Sequence, residues 1–425
     1  MEDLTEIIGQ VRAIDATRFG VGMRHHGYNI YVMGPHGSGK RTMVRELLSQ
    51  ELCATGAPAS DWCYVNNFAQ PHKPRAIRLP AGMGFKLRAD MQQLVDELHA
   101  TIPAVFEGDE YRRRLDKINE EFSERQTQAF DAIGDEANSR GIVLLRTLKG
   151  FSLAPAKNGE VLSPEEFGKL TPQEQQRIER DTEMLRERLE KVIRQVPRWR
   201  RERLARVDKL NEEAVLFAVG HLIDSLREDF AGIEAVQAYL DEVRQNIIEN
   251  IDDFRQPKDD GDSSPSLSNM APDGADFARF RVNVLVEHAE SSCPPVIDEE
   301  HPTCQNLIGR VEHLSHMGVL VTDFMQIKPG ALHLANGGYL VLDALKLLTQ
   351  PFSWEALKRA LSTREVRIES IGQMFSLIST VSLEPEPIPL DVKVLLLGDR
   401  MLYYLLAAYD SEFAALFKRS GRPRG

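Results

Sequence analysis

Three textures of hydrophobic and polar positions follow one another along the chain. In residues 1–100, short apolar runs alternate with helical spacing. Residues 7–19 carry apolar positions compatible with a helix, and residues 29–34 (NIYVMG) predict a strand that ends at a glycine. Met43, Val44, Leu47, Leu48 and Leu52 then fall on one helix face. Residues 61–67 (DWCYVNN) predict a second strand and residues 86–98 a helix, with a proline-containing loop between them. Residues 101–255 change character. They are rich in Glu, Arg, Gln and Leu, and apolar residues recur in steps of three and four, as at Leu185, Leu189, Val192 and Val196, or at Leu222, Leu226, Phe230 and Ile233. That rhythm predicts long amphipathic helices packed antiparallel, or a short coiled coil. Residues 141–155 interrupt it with a small hairpin. Residues 256–276, rich in Asp, Ser, Pro and Gly, have too little to bury and predict a flexible linker. The α/β texture returns in residues 277–418, with strands at FRVNVLV, GGYLVLDA and DVKVLLLGD and a helix around residues 354–361.

Composition narrows the class. Of 425 residues, 42% are hydrophobic and 27% charged, a globular balance with length for two to three domains. The net charge of −12 argues against a broadly basic nucleic-acid binder. The basic cluster from Arg194 to Arg206 is interleaved with Glu202, followed by Asp208, and reads as a solvated helix face. No apolar run approaches the roughly 18 residues a membrane-crossing helix needs. The first ten residues lack the basic-then-apolar order of a signal peptide. Four cysteines are too few for a disulfide framework in a chain of this length. A soluble, reducing, cytoplasmic setting without nucleic-acid or membrane partners is the expectation.

The strongest chemical signal is Gly34-Pro35-His36-Gly37-Ser38-Gly39-Lys40, between a strand and the helix that begins near Arg41. It fits the G-x-x-x-x-G-K phosphate loop in its strand–loop–helix context. Glycines let the backbone curl so that N–H groups converge on phosphate oxygens, the helix start adds a positive dipole end, and Lys40 supplies a charge for the terminal phosphates. ATP with Mg2+ is the expected ligand. Arg41 stands where a serine or threonine usually follows the lysine, which makes Thr42 the candidate for the magnesium-facing hydroxyl. A strand ending in an acid must hold the ion from the other side, and Leu340-Val341-Leu342-Asp343 supplies it. Ala344 follows, where many such ATPases place a water-polarising glutamate. A third apolar strand ends at Asp399, the candidate sensor of the γ-phosphate. The stretch between Lys40 and Asp343 is far longer than a compact nucleotide fold needs. The helical residues 101–255 and their linker 256–276 therefore read as an insertion into one domain, formed by residues 1–100 and 277–418, followed by an irregular tail at 419–425.

The series GYNIYVMGPHGSGKRT, DWCYVNNFAQPHKPRAIRLPAG, QNLIGRVEHLSHMGVLVTDFMQIKPGALHLANGGYLVLDA and LISTVSLEPEPIPLDVKVLLLGDR resembles the ATPase part of the bacterial Lon-like ATP-dependent protease family. The resemblance implies an α/β P-loop AAA+ core with an inserted all-α, coiled-coil-like domain. It implies a hexameric ring in which ATP turnover threads unfolded protein toward a protease chamber. Met317 and Phe324 are the substrate grips it suggests for a pore loop. It also implies a fifth sheet strand, a helical lid and a Ser/Lys protease domain, none of which is recognisable in the last residues. The chain is expected to act as the ATPase part of such an endopeptidase, without peptidase activity of its own. A non-proteolytic AAA+ remodeller or regulator, or a nucleotide-binding interaction protein, is the alternative. His301, His313 and His316 near Cys293 and Cys304 do not complete a zinc pattern.

Overall fold

The computed structural model describes residues 11–23, 27–52, 59–147, 150–157, 160–254, 275–288, 293–316, 319–369, 383–417 and 419–420. The chain divides into two compact units.

The first unit comprises Met1–Glu97, Ile223–Asn246 and Asp259–Gly425. Its centre is a sheet of β1 (Ile30–Met33), β8 (Val296–Glu299), β13 (Tyr339–Asp343), β16 (Lys393–Gly398) and β17 (Arg419–Ser420), in the order β17-β1-β16-β13-β8. Each pairing in it is parallel. Parallel strands are covered on both faces, so they read as unbroken apolar runs. Alternation then sorts the side chains. Ile30, Val32, Val341, Leu395 and Leu397 pack with Met43, Val44 and Leu48 of the helix Lys40–Leu52. Tyr31, Leu340, Leu342 and Leu396 pack on the opposite face with Leu357, Leu361 and Phe413.

The strand expected at residues 61–67 forms, but outside this sheet. β2 (Asp61–Val65) is instead the middle of an antiparallel sheet between β3 (Arg75–Leu79) and β7 (Val282–Val286). The place beside β13 belongs to β8, which has only Val296 and Ile297 before two acids. The tail expected to be irregular contributes β17, paired with β1 at Ile30↔Arg419 and Tyr31↔Ser420. The helical residues also divide differently from the expected 101–255. Residues 223–246 join the first unit, where Tyr239 stacks on Phe68 and donates to the Phe280 carbonyl at 3.4 Å. Arg75 holds both carboxylate oxygens of Glu242 at 2.9 and 2.7 Å.

Between β8 and β13, β9 (Arg310–Val311) pairs antiparallel with β12 (Ile327–Lys328) to form a stem. It carries a hairpin of β10 (Leu314–His316) and β11 (Val319–Val321). β14 (Glu365–Val366) pairs with β15 (Ile388–Pro389). Behind the stem His333 is fully buried, and its Nδ1 accepts from the Gly330 amide at 3.2 Å. Burial pushes its pKa down to about 3. A chain that unfolds returns this imidazole to the ordinary value near 6.5, so the unfolded state binds the extra proton between those limits. Stability from His333 is therefore complete above about pH 6.5 and is lost as the pH falls toward 3. Denaturant titrations at pH 7 and pH 5 should show a fall in unfolding free energy with a slope of up to about 1.4 kcal/mol per pH unit from this residue. His333→Gln should flatten that part of the slope; an unchanged slope would remove His333 as its source.

The second unit comprises Leu98–Leu222 and Ile247–Lys258. The helices Asp109–Ser139 and Pro172–Asp229 supply most of it. Ile133 and Ala137 pack on Leu185 and Leu189. The buried Tyr111 hydroxyl donates to Asn211 Oδ1 at 2.6 Å. The expected hairpin is a three-stranded antiparallel sheet of β4 (Ile142–Thr147), β5 (Gly150–Lys157) and β6 (Glu160–Val161), with Phe151 stacked on Phe130. The unit is thus helical with a small sheet rather than all-α. In the basic cluster, Arg194 and Arg206 meet Glu190 and Glu121, while Arg203 donates to Asn119. Exposed pairs of this kind are worth less than about 1 kcal/mol each and fit a solvated face. Most of the linker expected at 256–276 lies outside the described residues.

Among the described residues no helix is long and apolar enough to cross a membrane. Cys63 and Cys304 are buried free thiols, and burial pushes the Cys63 thiol up to about 12. Cys293 is disulfide-bonded, which the expectation of a reducing setting did not foresee.

Candidate nucleotide-binding site

Local conformation explains the glycines of the loop after β1. Gly37 and Gly39 hold φ of 78° and 71°, the left-handed region that glycine enters without steric penalty. A Cβ at either would meet nothing within 4 Å, so the demand is conformational and the loop interior is open. The Gly34 amide donates to the Gly398 carbonyl at 3.0 Å, which ties the loop to the end of β16. The Met43 amide donates to the Gly39 carbonyl at 2.9 Å, so the helix Lys40–Leu52 begins directly from the loop. Pro35, His36, Gly37, Ser38 and Gly39 are exposed. Lys40 folds back over the loop. Its Nζ donates to the Gly34 carbonyl at 2.7 Å and to the Gly398 carbonyl at 3.5 Å.

The two acids expected at strand ends stand at the same end of the sheet. Asp343 ends β13 and caps the helix Ala344–Thr349, its Oδ1 accepting from the Lys346 amide at 3.0 Å. Asp399 follows β16 and caps the helix Arg400–Tyr409, accepting from the Leu402 amide at 2.7 Å. In both acids Oδ1 accepts the capping amide, and Oδ2 carries no cap bond. Between them Tyr31 donates its hydroxyl to the Asp399 carbonyl at 3.0 Å. Burial first, then the charges of Asp399 and Asp343, push the Tyr31 phenol well above its ordinary range, so it stays a neutral donor. A Cβ at Gly398 would fall 1.8 Å from the Tyr31 hydroxyl oxygen, so glycine is what lets this ring lie under the loop.

Residue 41 is where the sequence was least informative. Arg41 Nη2 donates to Asp298 Oδ1 at 2.8 Å and Nη1 to Glu300 Oε1 at 3.4 Å. Both acids belong to β8 and the residue after it, elements that the apolar pattern missed. A helix advances about 100° per residue, so Thr42 lies about 200° round from Lys40. Its side chain is exposed, and it is Arg41, not Thr42, that reaches the acidic strand. The donors that fit ATP are the loop amides and Lys40. For Mg2+ the fitting group is the Asp343 carboxylate, a hard oxygen ligand.

The pore-loop expectation fares differently at its two residues. Phe324 is buried with Trp62, Tyr64, Ile327 and Ile388, so its ring is core and offers no face to a threaded chain. Met317 lies outside the described residues. The hairpin around it instead exposes Leu314 and Val321, 54% and 46% accessible, which the sequence reading passed over. Among the described residues no group of three His, Cys, Asp or Glu side chains could hold a metal by itself.

Comparison with known proteins gives two family matches. Residues 292–422 match the model of the LonB-like AAA domain, and residues 61–94 match that of the Lon-like LonC helical domain. The first spans β8 to β17 and includes Asp343 and Asp399; the loop at 34–40 lies outside both. No curated protein sequence matches significantly. A solved structure, that of NtrX from Brucella abortus, is similar at 18% identity and a TM-score of 0.21. The likeness covers 31% of this chain and 27% of that one.

Proposed function

We propose, for a chain that belongs to a Lon-like AAA+ family, that it binds ATP with Mg2+ at residues 34–42 and hydrolyses it to move unfolded protein toward a Lon-type protease domain. Nucleotide binding follows from the AAA domain; turnover, threading and the protease partner are the proposal. The observation that carries it is the convergence of the glycine loop, Lys40 and Asp343 at one end of a parallel sheet. Open sheets of this kind bind ligands outside the carboxyl ends of their strands.

Loop amides and Lys40 bind and orient the phosphates. Asp343 would hold the magnesium ion, which neutralises charge on the terminal phosphates when it is bound. Tyr31 fixes the carbonyl of Asp399 and so the end of β16. The second unit reads as an insertion into the nucleotide domain, and the family implies a hexameric, cytoplasmic ring. The exposed hairpin of β10 and β11 takes the place of Phe324 as the element to carry substrate contacts.

One observation favours a second reading, nucleotide binding without turnover: Ala344, directly after Asp343, is buried and carries no carboxylate. Purified chain assayed for phosphate release separates the two. Turnover that is stimulated by an unfolded protein such as casein supports the first. Binding of ATP with no release in a single-turnover assay supports the second. The chain is expected to leave casein intact in either case, and degradation abolished by a serine-directed inhibitor would overturn that part.

A further inference from the structure

We infer that Glu300 is the carboxylate that polarises the attacking water, in place of a residue after Asp343. The inference rests on the hydrolytic reading above. Position 344 cannot serve. Ala344 is buried in the cluster on the Tyr31 face of the sheet and its methyl group carries no proton acceptor. The neighbouring strand offers three acids, and their partners sort them. Asp298 is largely buried and holds Arg41 at 2.8 Å. Glu299 Oε1 accepts from the His301 amide at 2.7 Å. Glu300 is left with its side chain 64% accessible and one contact at 3.4 Å to Arg41.

Register puts it beside the magnesium-holding residue. β8 and β13 are parallel, with Val341↔Asp298 and Leu342↔Glu299. β8 ends at Glu299, and Glu300 follows that pair directly, as Asp343 follows Leu342 on β13. Side chains alternate along a strand, so Asp298 shares the face of Val341, and Glu300, one residue past β8, meets the same Arg41 on that side. Val341 packs on Met43 and Val44, so that face is the one covered by the phosphate-loop helix. Two contacts fix the backbone there. Lys346 Nζ donates to the Glu300 carbonyl at 3.1 Å, and the Lys346 amide donates to Asp343. Arg41, anchored chiefly by Asp298, is a positioning residue that steers Glu300 from the start of the same helix.

The chemistry is an in-line hydrolysis. The water oxygen bonds to the γ-phosphorus while the bond from that phosphorus to the β–γ bridging oxygen breaks. The bridging oxygen leaves on ADP with its electron pair, and the water proton passes to the Glu300 carboxylate, which later returns it to solvent. A positioned base of this kind contributes about 10²- to 10⁴-fold.

The test compares the full chain with Glu300→Gln, and with Glu299→Gln as a neighbouring control. Radiolabelled ATP with Mg2+ is followed through one turnover, ATP affinity is measured separately, and the nucleotide retained on the protein is identified by chromatography. The expected result is a loss of about 100-fold or more in turnover for Glu300→Gln. Affinity should stay within about threefold and the retained nucleotide should be ATP, with Glu299→Gln close to the parent. A parent that turns over and a Glu300→Gln variant that matches it would overturn the assignment and leave the hydrolytic reading standing. A parent that binds ATP and never releases phosphate would overturn both.

Discussion

Lys40→Ala should cost the chain about 10- to 100-fold in affinity for ATP with Mg2+, the equivalent of one charge-assisted hydrogen bond of about 1.5–3 kcal/mol. The magnitude follows from what the ammonium does without ligand. Its partners are the carbonyls of Gly34 and Gly398, and the structure gives it no carboxylate partner among the described residues. A cation held only by dipoles is available to a phosphate at little cost. For the same reason the fold should survive. The loop keeps its Gly34–Gly398 backbone bond and the two positive-φ glycines, and the loss of two carbonyl contacts near the surface should change stability by less than about 1 kcal/mol. Titration with a fluorescent ATP analogue, with a melting curve alongside, reads both. Unchanged affinity in a folded variant would remove Lys40 from the site. Lys40→Arg is a sharper probe, because it keeps the charge but replaces a compact ammonium by a planar fork. Intermediate affinity is expected for it.

What the sequence made legible about this site, and what it hid, follow from the same physics. Strands β1, β13 and β16 were readable because burial on both faces forces unbroken apolar runs, as in Leu395, Leu396 and Leu397. The loop was readable because positive φ at two positions demands glycine. β8 was not, because a four-residue edge strand needs little apolar surface, and Asp298 spends its side chain on Arg41. Residues 61–65 were readable as a strand because four of the five are apolar or aromatic, but nothing in them says which sheet they join. Their antiparallel pairing with β7, across the whole helical region, is a long-range contact that no local pattern encodes. β17 was missed because Arg419 and Ser420 look like tail; they pair through backbone groups, which carry no residue signature. Phe324 shows the converse limit. An aromatic residue in a loop-like segment reads equally well as a grip or as core, and only Trp62, Tyr64 and Ile388 around it decide.

Opposite signs are expected for one substitution, glycine to alanine, at two places. At Gly330 an added Cβ would fall 2.3 Å from the Gly309 nitrogen and 2.3 Å from the Leu307 carbonyl oxygen. Every near neighbour is backbone, so no rotamer change relieves the overlap. The segment opposite is equally constrained: Gly309 holds φ of 87°, and its own Cβ would lie 2.6 Å from the Lys328 carbonyl oxygen. These two glycines are where the chain crosses itself at the base of the β9–β12 stem. Gly330→Ala must therefore separate that crossing and loosen the packing over His333, at about 3–5 kcal/mol. That is about 10 °C or more in Tm for a unit of this size. At Gly134, inside the helix Asp109–Ser139, the added methyl meets nothing within 4 Å. There alanine should raise stability by about 0.5–1 kcal/mol, because glycine is the poorer helix former. Melting curves of the two variants check both signs at once. Equal small effects would mean that the crossing at Gly309 and Gly330 is not the close backbone approach described. A severe loss at Gly330 that leaves the helical signal of the second unit in place would locate the stem as part of the first unit's cooperative core, and so as a rigid base from which the exposed hairpin projects.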